Sequence, residues 1–249
     1  MNTEFIELNI DDISKEAITR AGDIIKNGGL VAFPTETVYG LGGDGLNRES
    51  SMKIYEAKGR PSDNPLIIHI ADIKDLFTIT TNVSDKALAL AEKFWPGPLT
   101  MILKKADIVP YETTGGLDTV AVRMPDNKIA LEFIKAAGGF VAAPSANLSG
   151  RPSPTKASHV KSDLDGRIDM ILDGGSSIIG HESTVVDMTE ETPIMLRPGY
   201  ISMNTLSRVV GDVIYDAAIL EIGSNEPPRA PGMKYRHYAP KGELSIVKG

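Results

Sequence analysis

The chain has 249 residues, and its 41% hydrophobic and 24% charged residues are ordinary for a folded globular protein. Its net charge of −7 argues against a surface that binds nucleic acid through bulk charge, although a local basic groove is not excluded. The chain has no cysteine, so disulfide frameworks and thiolate chemistry are excluded. No basic, apolar leader opens the sequence, and no apolar stretch approaches the roughly 20 residues of a membrane span, so we expect a cytoplasmic protein.

Helical spacing of apolar residues predicts a first helix from Ile13 to residue 25, with Asp12 or Ser14 as its cap. A strand over 30–33 and a glycine-rich loop over 34–43 follow. The next helix, over 49–58, ends at Gly59. Because the later strands follow one another closely, we predict a mixed sheet in an α/β fold with some α+β character. The remaining predicted helices are 84–94 and 128–137, and the remaining strands are 66–70, 99–103, 119–123, 140–143, 170–172, 183–187 and 193–196.

Several common catalytic motifs are absent or out of place. The segment Gly40 to Gly45 fits the pattern GxGxxG, but no helix starts inside it, so we do not interpret it as a dinucleotide site. Its glycines are expected to allow positive φ or close approach to a ligand. The sequence has no P-loop, no GxSxG and no HExxH, and without cysteine a structural zinc site is not expected.

Lys58 and Arg60 flank Gly59, where a helix gives way to a proline-containing loop. One interpretation is a plain helix end, since cations favour the C-terminal dipole. The other is a flexible ammonium and a forked guanidinium directed at phosphate oxygens. Asn64 and Pro65 would then fix the shape of the loop.

Ser145 and Asn147 follow a predicted strand, where ligands bind in open α/β sheets, but the same residue types are typical of an ordinary turn. Arg123 and Arg197 each end an apolar run, and they fit either a surface salt bridge or a ligand site. Ser183 has the same ambiguity. With its neighbour Thr184 it either reads a small polar ligand or caps a strand.

Five motifs in this order resemble those of the YrdC/Sua5 family of threonylcarbamoyl-AMP synthases, over about 11–215. They are Pro34-Thr-Glu-Thr-Val-Tyr-Gly-Leu-Gly42, Lys58-Gly-Arg60-Pro-x-x-Asn64-Pro65-Leu66, Pro144-Ser145-Ala-Asn147-x-Ser-Gly150, Ser183-Thr184-Val-Val-Asp187 and Leu196-Arg197-Pro198-Gly199. A sixth, 230–240, resembles the interdomain linker of the longer Sua5 branch.

The resemblance implies a twisted open sheet around a deep basic cavity, in an enzyme that uses L-threonine, bicarbonate and ATP with Mg²⁺. It assigns Lys58 and Arg60 as catalytic and assigns no metal ligand among the side chains. The residues it places at threonine, here called the threonine set, are Thr35, Thr37, His69, Arg123, Ala143 and Ser183. Those it places at ATP, here called the nucleotide set, are Lys58, Arg60, Asn64, Thr119, Ser145, Asn147, Ser153, Arg197, Lys234 and Tyr235.

The same resemblance divides the chain into a catalytic domain (1–215), a linker (216–241) and only the start of a C-terminal Sua5 domain (242–249). Composition agrees with a linker, since 223–232 is rich in Pro and Gly, and a new strand is predicted over 244–247. The expected product serves the N6-threonylcarbamoyl modification of tRNA adenosine 37, through proteins that take the adenylate. Two alternatives stay open: an RNA-binding module without catalysis, and a carbamoyl-handling enzyme with another acceptor.

Overall fold

The computed structural model describes residues 2–216. The predictions for Lys234, Tyr235, the linker segment 223–232 and the strand 244–247 therefore lie outside the described residues. Within them, no helix is long and apolar enough to cross a membrane.

The helices begin where short polar side chains cap them. Ser14, Asn47, Ser84, Asn127 and Ser202 each accept a hydrogen bond from a backbone N–H in the first turn. Of the two caps considered for the first helix, Ser14 is therefore the one used. The helices are α1 (Lys15–Lys26), α2 (Arg48–Lys58), α3 (Leu76–Ile79, preceded by a 3-10 turn, Ile73–Asp75), α4 (Asp85–Phe94), α5 (Tyr111–Thr114), α6 (Lys128–Ala136), α7 (Ala157–Leu164) and α8 (Met203–Val210).

The strands form one mixed sheet, as predicted, in the order β1-β9-β2-β3-β8-β4-β7-β6-β10-β11-β12, with β5 paired to β6. Parallel pairs such as β4 with β7 alternate with antiparallel ones such as β6 with β7. The strands are β1 (Glu4–Glu7), β2 (Val31–Phe33), β3 (Gly40–Asp44), β4 (Ile67–His69), β5 (Thr80–Thr81), β6 (Leu99–Lys105), β7 (Thr119–Arg123), β8 (Val141–Ala142), β9 (Met170–Asp173), β10 (Thr184–Asp187), β11 (Ile194–Arg197) and β12 (Ile214–Tyr215).

Three apolar clusters pack helices against this sheet. Helices α3, α4 and α8 cover alternate residues of β6 and β7, including Met101 and Val122. Helices α1 and α6 cover β2 and β9, and α7 packs with α2 beneath β3. On β4 and β7 the opposite face carries Ile67, His69, Ala121 and Arg123, because successive side chains alternate across a strand. Helices cover both faces of β2 and β9, but at β4 and β7 they cover one face and leave the other to form the site.

The prediction of a loop over 34–43 is wrong in its second half, because Gly40–Asp44 is strand β3. Its glycines do not have positive φ either. A Cβ on Gly40 would lie 3.1 Å from the Phe33 ring, and one on Gly42 would lie 2.8 Å from a Val141 methyl. These glycines let β3 pass closely between β2 and β8 in a crowded sheet, which explains why the glycine pattern is not a dinucleotide motif.

Candidate functional site

A cavity opens where β4, β7 and β8 end, at the junction of seven segments of the chain. It is lined by side chains from the five motifs that lie within the described residues, and three arginines face it together with one glutamate. The lining residues are Thr35, Thr37, Val38, Tyr39, Gly40, Arg60, Ile67, His69, Arg123, Ala143, Pro144, Ser145, Glu182, Ser183 and Arg197.

The loop between β2 and β3 forms one wall through Thr35 and Thr37. The Thr35 hydroxyl donates to the carbonyl of Val38 and accepts from the N–H groups of Thr37 and Val38. Its oxygen also lies 2.9 Å from the Thr37 hydroxyl. Threonine folds the loop locally in this way, because a short hydroxyl side chain can bond to nearby backbone groups. The wall is therefore fixed by its own side chains.

The floor of the cavity holds a buried ion pair that the sequence analysis did not identify. Arg123 Nη2 lies 2.8 Å from Glu36 Oε1, and the two side chains are only 5% and 6% exposed. The alternative of a surface salt bridge is therefore wrong for Arg123. A glutamate between two threonines, in a buried loop close to an arginine at a strand end, was the available signal, but only the fold brings the two together.

His69 ends β4 beside Arg123, its partner in the ladder. Its Nδ1 donates to the carbonyl of Ile67, 3.1 Å away, and its ring meets the Phe33 ring edge-on at 5.9 Å. Burial and the nearby Arg123 charge lower the pKa of His69 to about 3, so the imidazole is neutral at physiological pH. It is suited to hydrogen bonding rather than to charge pairing.

Ser183 and Thr184, which were open to two interpretations, have different surroundings. Ser183 lines the cavity, and its hydroxyl lies 2.7 Å from that of Thr100. Thr184 instead donates to the carbonyl of Ile201 and accepts from its N–H, which fixes the turn after β11. Arg197, from that same β11, donates through Nε to the Ser183 carbonyl at 3.0 Å. Burial lowers the pKa of Arg197, and the neighbouring Arg123 adds to this effect.

Lys58 does not line the cavity. Its side chain is 2% exposed, and its ammonium donates to the carbonyl oxygens of Ser145 and Asn147, the latter at 2.5 Å. Its own carbonyl accepts from the Ser149 N–H. Burial and the Arg60 charge lower the pKa of Lys58 well below its usual value. The ammonium therefore ties the end of α2 to the loop after β8. It is a fixed group and not the flexible ammonium of the second interpretation.

The other members of the nucleotide set divide in the same way. Arg60, Ser145 and Arg197 line the cavity, whereas Asn64, Thr119, Asn147 and Ser153 do not. Thr119 begins β7, four residues before Arg123, which places it about 13 Å away along the strand. Asn147 accepts a hydrogen bond from the Ser145 hydroxyl at 2.6 Å, so it acts behind the lining.

Glu182 is the second carboxylate that the sequence analysis missed. It lines the cavity next to Ser183, and its Oε1 accepts a hydrogen bond of 2.6 Å from Ser153. Both Lys58 and Arg197 feel its charge. An acidic residue directly before the Ser183 motif was the only sequence signal. The lining thus combines two groups of side chains: Arg60 and Arg197, here called the cationic end, and the hydroxyl groups around the buried ion pair, here called the hydroxyl-rich end. Arg197 joins the two, because its Nη2 also donates to the Ser183 hydroxyl at 3.2 Å.

Comparison with known proteins identifies the class to which this fold and site belong. Residues 23–199 match the Sua5/YciO/YrdC family model, which carries the description telomere recombination. Residues 201–249 match a model described as the C-terminal domain of threonylcarbamoyl-AMP synthase. The chain belongs to the Sua5/YciO/YrdC family.

Two curated relatives are both called threonylcarbamoyl-AMP synthase. The protein from Pyrococcus abyssi is 51% identical, over 95% of this chain and 69% of its own length. The one from Bacillus subtilis is 52% identical, over 93% of this chain and 67% of its own length. A crystal structure of P. abyssi Sua5 with L-threonine superposes with a TM-score of 0.94 at 50% identity, covering 97% of this chain and 70% of that one.

The match at 201–249 corrects one prediction. The sequence analysis assigned only 242–249 to the C-terminal Sua5 region, but the match to that region begins at residue 201, before helix α8. The polar, proline-rich composition of 223–232 drew attention to a linker and away from the apolar residues that precede it. The boundaries at 215 and 241 stay predictions.

Proposed function

We propose that this protein is an L-threonylcarbamoyladenylate synthase, which makes threonylcarbamoyl-AMP and pyrophosphate from L-threonine, bicarbonate and ATP. The observation that carries the proposal is that all six residues of the threonine set line one cavity, which three arginines also face. Two relatives more than 50% identical carry the name of this activity, and the P. abyssi structure holds L-threonine.

The chemistry needs little covalent participation by the protein. The threonine ammonium first loses a proton, and the free amine then attacks the carbon of bicarbonate, which expels water and gives a carbamate. A carbamate oxygen then attacks the α-phosphorus of ATP, and the bond to the pyrophosphate leaving group breaks. Positioning and neutralisation of charge contribute most to the rate of such a transfer. This agrees with a lining rich in arginines and hydroxyls, in a chain without cysteine.

The hydroxyl-rich end of the cavity suits the amino acid. Arg123 supplies a guanidinium for the α-carboxylate, which it can bind through charge-assisted hydrogen bonds. Thr37, Ser183 and neutral His69 surround the same space and are the candidates that recognise the threonine hydroxyl. A buried site that hydrogen-bonds a hydroxyl discriminates strongly against a ligand without it.

The cationic end suits the triphosphate. Arg60 and Arg197 supply guanidinium groups that line the cavity, and Ser145 also contributes to the lining. Mg²⁺ enters with ATP, bound to its phosphate oxygens, and neutralises part of the charge that the two arginines do not. Lys58 acts on this end through the loop that it holds, since its ammonium donates to Ser145 and Asn147.

The test is the release of pyrophosphate by the purified protein with ATP, Mg²⁺ and bicarbonate, with and without L-threonine. We expect release only with threonine, and at least tenfold less with L-serine, since a missing methyl costs about 1–3 kcal/mol in a fitted pocket. Mass spectrometry should detect the adenylate product. Pyrophosphate that appears equally without threonine, or with another carbamoyl acceptor, would contradict the assignment.

The adenylate would then pass to proteins that transfer the threonylcarbamoyl group to tRNA adenosine 37. A net charge of −7 disfavours direct binding of tRNA by the whole surface. Filter binding with tRNA across 50–200 mM salt distinguishes the two cases, because a real phosphate interface loses affinity steeply as salt rises. We expect tRNA to bind the protein weakly, and we expect ATP not to displace it.

A further inference from the structure

Glu36 occupies an unusual place in the wall of the cavity. Its two neighbours, Thr35 and Thr37, both line the cavity, but Glu36 itself does not. Its side chain is directed into the protein, where it is 6% exposed and meets Arg123. Its backbone is held as well, because its carbonyl accepts from the Ile179 N–H at 2.8 Å. Glu36 is thus fixed directly behind a residue of the threonine set.

The contacts of Arg123 leave one edge of its guanidinium for a ligand. Nε is 3.4 Å from the carbonyl of Gly97, and Nη2 is 2.8 Å from Glu36. Nη1 makes no hydrogen bond or ion pair within residues 2–216, yet it is not among the buried atoms without a partner. It is therefore the accessible nitrogen, and Arg123 lines the cavity. The contacts of Nε and Nη2 thus fix the plane of the Arg123 guanidinium, and Nη1 is left for the cavity.

Within the ion pair, Glu36 and Arg123 also depend on each other for charge compensation. Among the described residues, the Glu36 carboxylate has no hydrogen-bond donor aligned on either oxygen, so Arg123 is the group that compensates its charge. A buried charge that loses its partner is strongly penalised. Conversely, Arg123 lies near Arg197, whose pKa it lowers, so without Glu36 the Arg123 cation would face a second buried cation uncompensated. Each charge therefore keeps the other in place.

We infer that Glu36 is a positioning residue for substrate recognition, which holds Arg123 charged and oriented so that its accessible edge binds the α-carboxylate of the amino-acid substrate. This inference rests on the proposed function, since it takes the amino acid to bind at this end of the cavity. It predicts that Glu36 controls recognition of the carboxylate alone, without touching substrate and without any effect on the nucleotide end.

The experiment compares the affinity of two ligands for the wild type and for one variant. Binding of L-threonine and of L-threoninamide, which lacks the carboxylate charge, is measured by calorimetry without ATP in the wild type and in Glu36→Gln. We expect Glu36→Gln to weaken L-threonine at least tenfold and L-threoninamide less than threefold. The KM for ATP in pyrophosphate release should change less than twofold. A purely structural role of Glu36 would weaken both ligands equally.

Two further variants keep the inference falsifiable. Glu132→Gln makes the same change in an exposed ion pair with Lys135 and should leave both ligands unaffected. If Glu36→Gln does not fold, Glu36→Asp decides the matter, because it keeps the charge at a longer distance from Arg123. A reduced preference for L-threonine over L-threoninamide supports the inference, and a wild-type preference overturns it. Because binding is measured without ATP, a failure of the adenylate chemistry in the wild type would appear separately.

Discussion

The two ends of the cavity are built in different ways. At the amino-acid end, every member of the threonine set lines the cavity, at a strand end or in the loop segments that flank the strands. At the nucleotide end, only Arg60, Ser145 and Arg197 of the eight described members do so. The remainder lie behind the lining or farther along the sheet. Strands thus place much of the amino-acid end, whereas Lys58 and Asn147 of the nucleotide set hold loops. Arg197, which ends β11 and donates to Ser183, lies where the two ends meet.

The difference follows from the local bonds. His69 and Arg123 are neighbours across a parallel ladder, so the register of β4 and β7 is enough to place them together. Ser145, in contrast, lies in a loop, and its position depends on the hydrogen bond that its carbonyl accepts from the Lys58 ammonium. We therefore expect substitutions at the amino-acid end to change ligand binding, and those at the nucleotide end to change stability and turnover together.

The largest effect is expected for Arg60→Ala. This change removes a guanidinium that faces the cavity and that is held by the Pro65 carbonyl at 3.2 Å. The loss of one charged donor at the transition state lowers turnover by about 100- to 1000-fold. The measurement is the rate of threonine-dependent pyrophosphate release, with L-threonine affinity by calorimetry unchanged.

The matched control is Arg48→Ala. Arg48 is exposed at the start of α2, and its guanidinium pairs with Glu112. It should retain wild-type turnover. Should Arg60→Ala also turn over at the wild-type rate, or lose L-threonine affinity instead, the division of the cavity into two ends would be wrong.

The next largest effect is expected for Lys58→Met, which should lower stability as well as turnover. The change removes a buried donor from the carbonyls of Ser145 and Asn147. Buried acceptors left without a partner cost about 3 kcal/mol in total, so the free energy of unfolding in urea should fall by that amount. Turnover should fall as well, because Ser145 is displaced. Lys53→Met, in which an exposed lysine loses one bond to Gly28, should change stability by less than about 0.5 kcal/mol. Wild-type stability of Lys58→Met would support a direct phosphate contact instead.

Sequence patterns predicted the longer periodic elements, but they missed the eight-residue helices α7 and α8 and what depends on contacts across the fold. The capped helices α1, α2, α4 and α6 and the apolar strands around β7 were predicted within one or two residues. Strand β3 was missed because its glycines have no apolar pattern. Glu36 was missed because its partner, Arg123, is 87 residues away, a distance at which no local spacing rule applies.

The site shows the same limit in a second form. Motif resemblance named Lys58 as part of the site, but a motif does not say in which direction a side chain extends. The helix cap at Gly59 turns the chain so that Arg60 faces the cavity and Lys58 lies beneath the loop. Both open interpretations of this segment therefore hold in part: it is an ordinary helix end, and it delivers one cation to the cavity.

At the amino-acid end, the buried neutral His69 predicts a pH dependence of stability. Its pKa of about 3 in the fold lies below the ordinary value of 6.5, so between these values the unfolded chain binds more protons. Stability is thus fully present above about pH 6.5 and falls as the pH falls toward 3. Between pH 7 and pH 5 this one group accounts for about 2 kcal/mol.

Urea unfolding of the wild type and of His69→Asn at both pH values measures this difference, which the variant should lose. His159→Asn, which changes an exposed histidine, is the matched control and should keep the wild-type dependence. An unchanged dependence in His69→Asn would mean that His69 is protonated in the fold, and that this end of the cavity is more polar than its burial indicates.

The smallest effect concerns the hinge between the two cations. Gly59 has φ of 60° and ψ of 39°, and a Cβ there would meet nothing within 4 Å, so Gly59→Ala costs only the left-handed backbone conformation, about 1 kcal/mol. Asparagine tolerates this conformation better, so Gly59→Asn should restore most of the loss in urea unfolding. If the cap also sets the directions of Lys58 and Arg60, Gly59→Ala should raise the KM for ATP a few-fold and leave the affinity for L-threonine unchanged. Equal changes for both substrates would show that the two ends of the cavity respond as one unit, because strain at a loop that contacts only the nucleotide end would then have reached the sheet-built end.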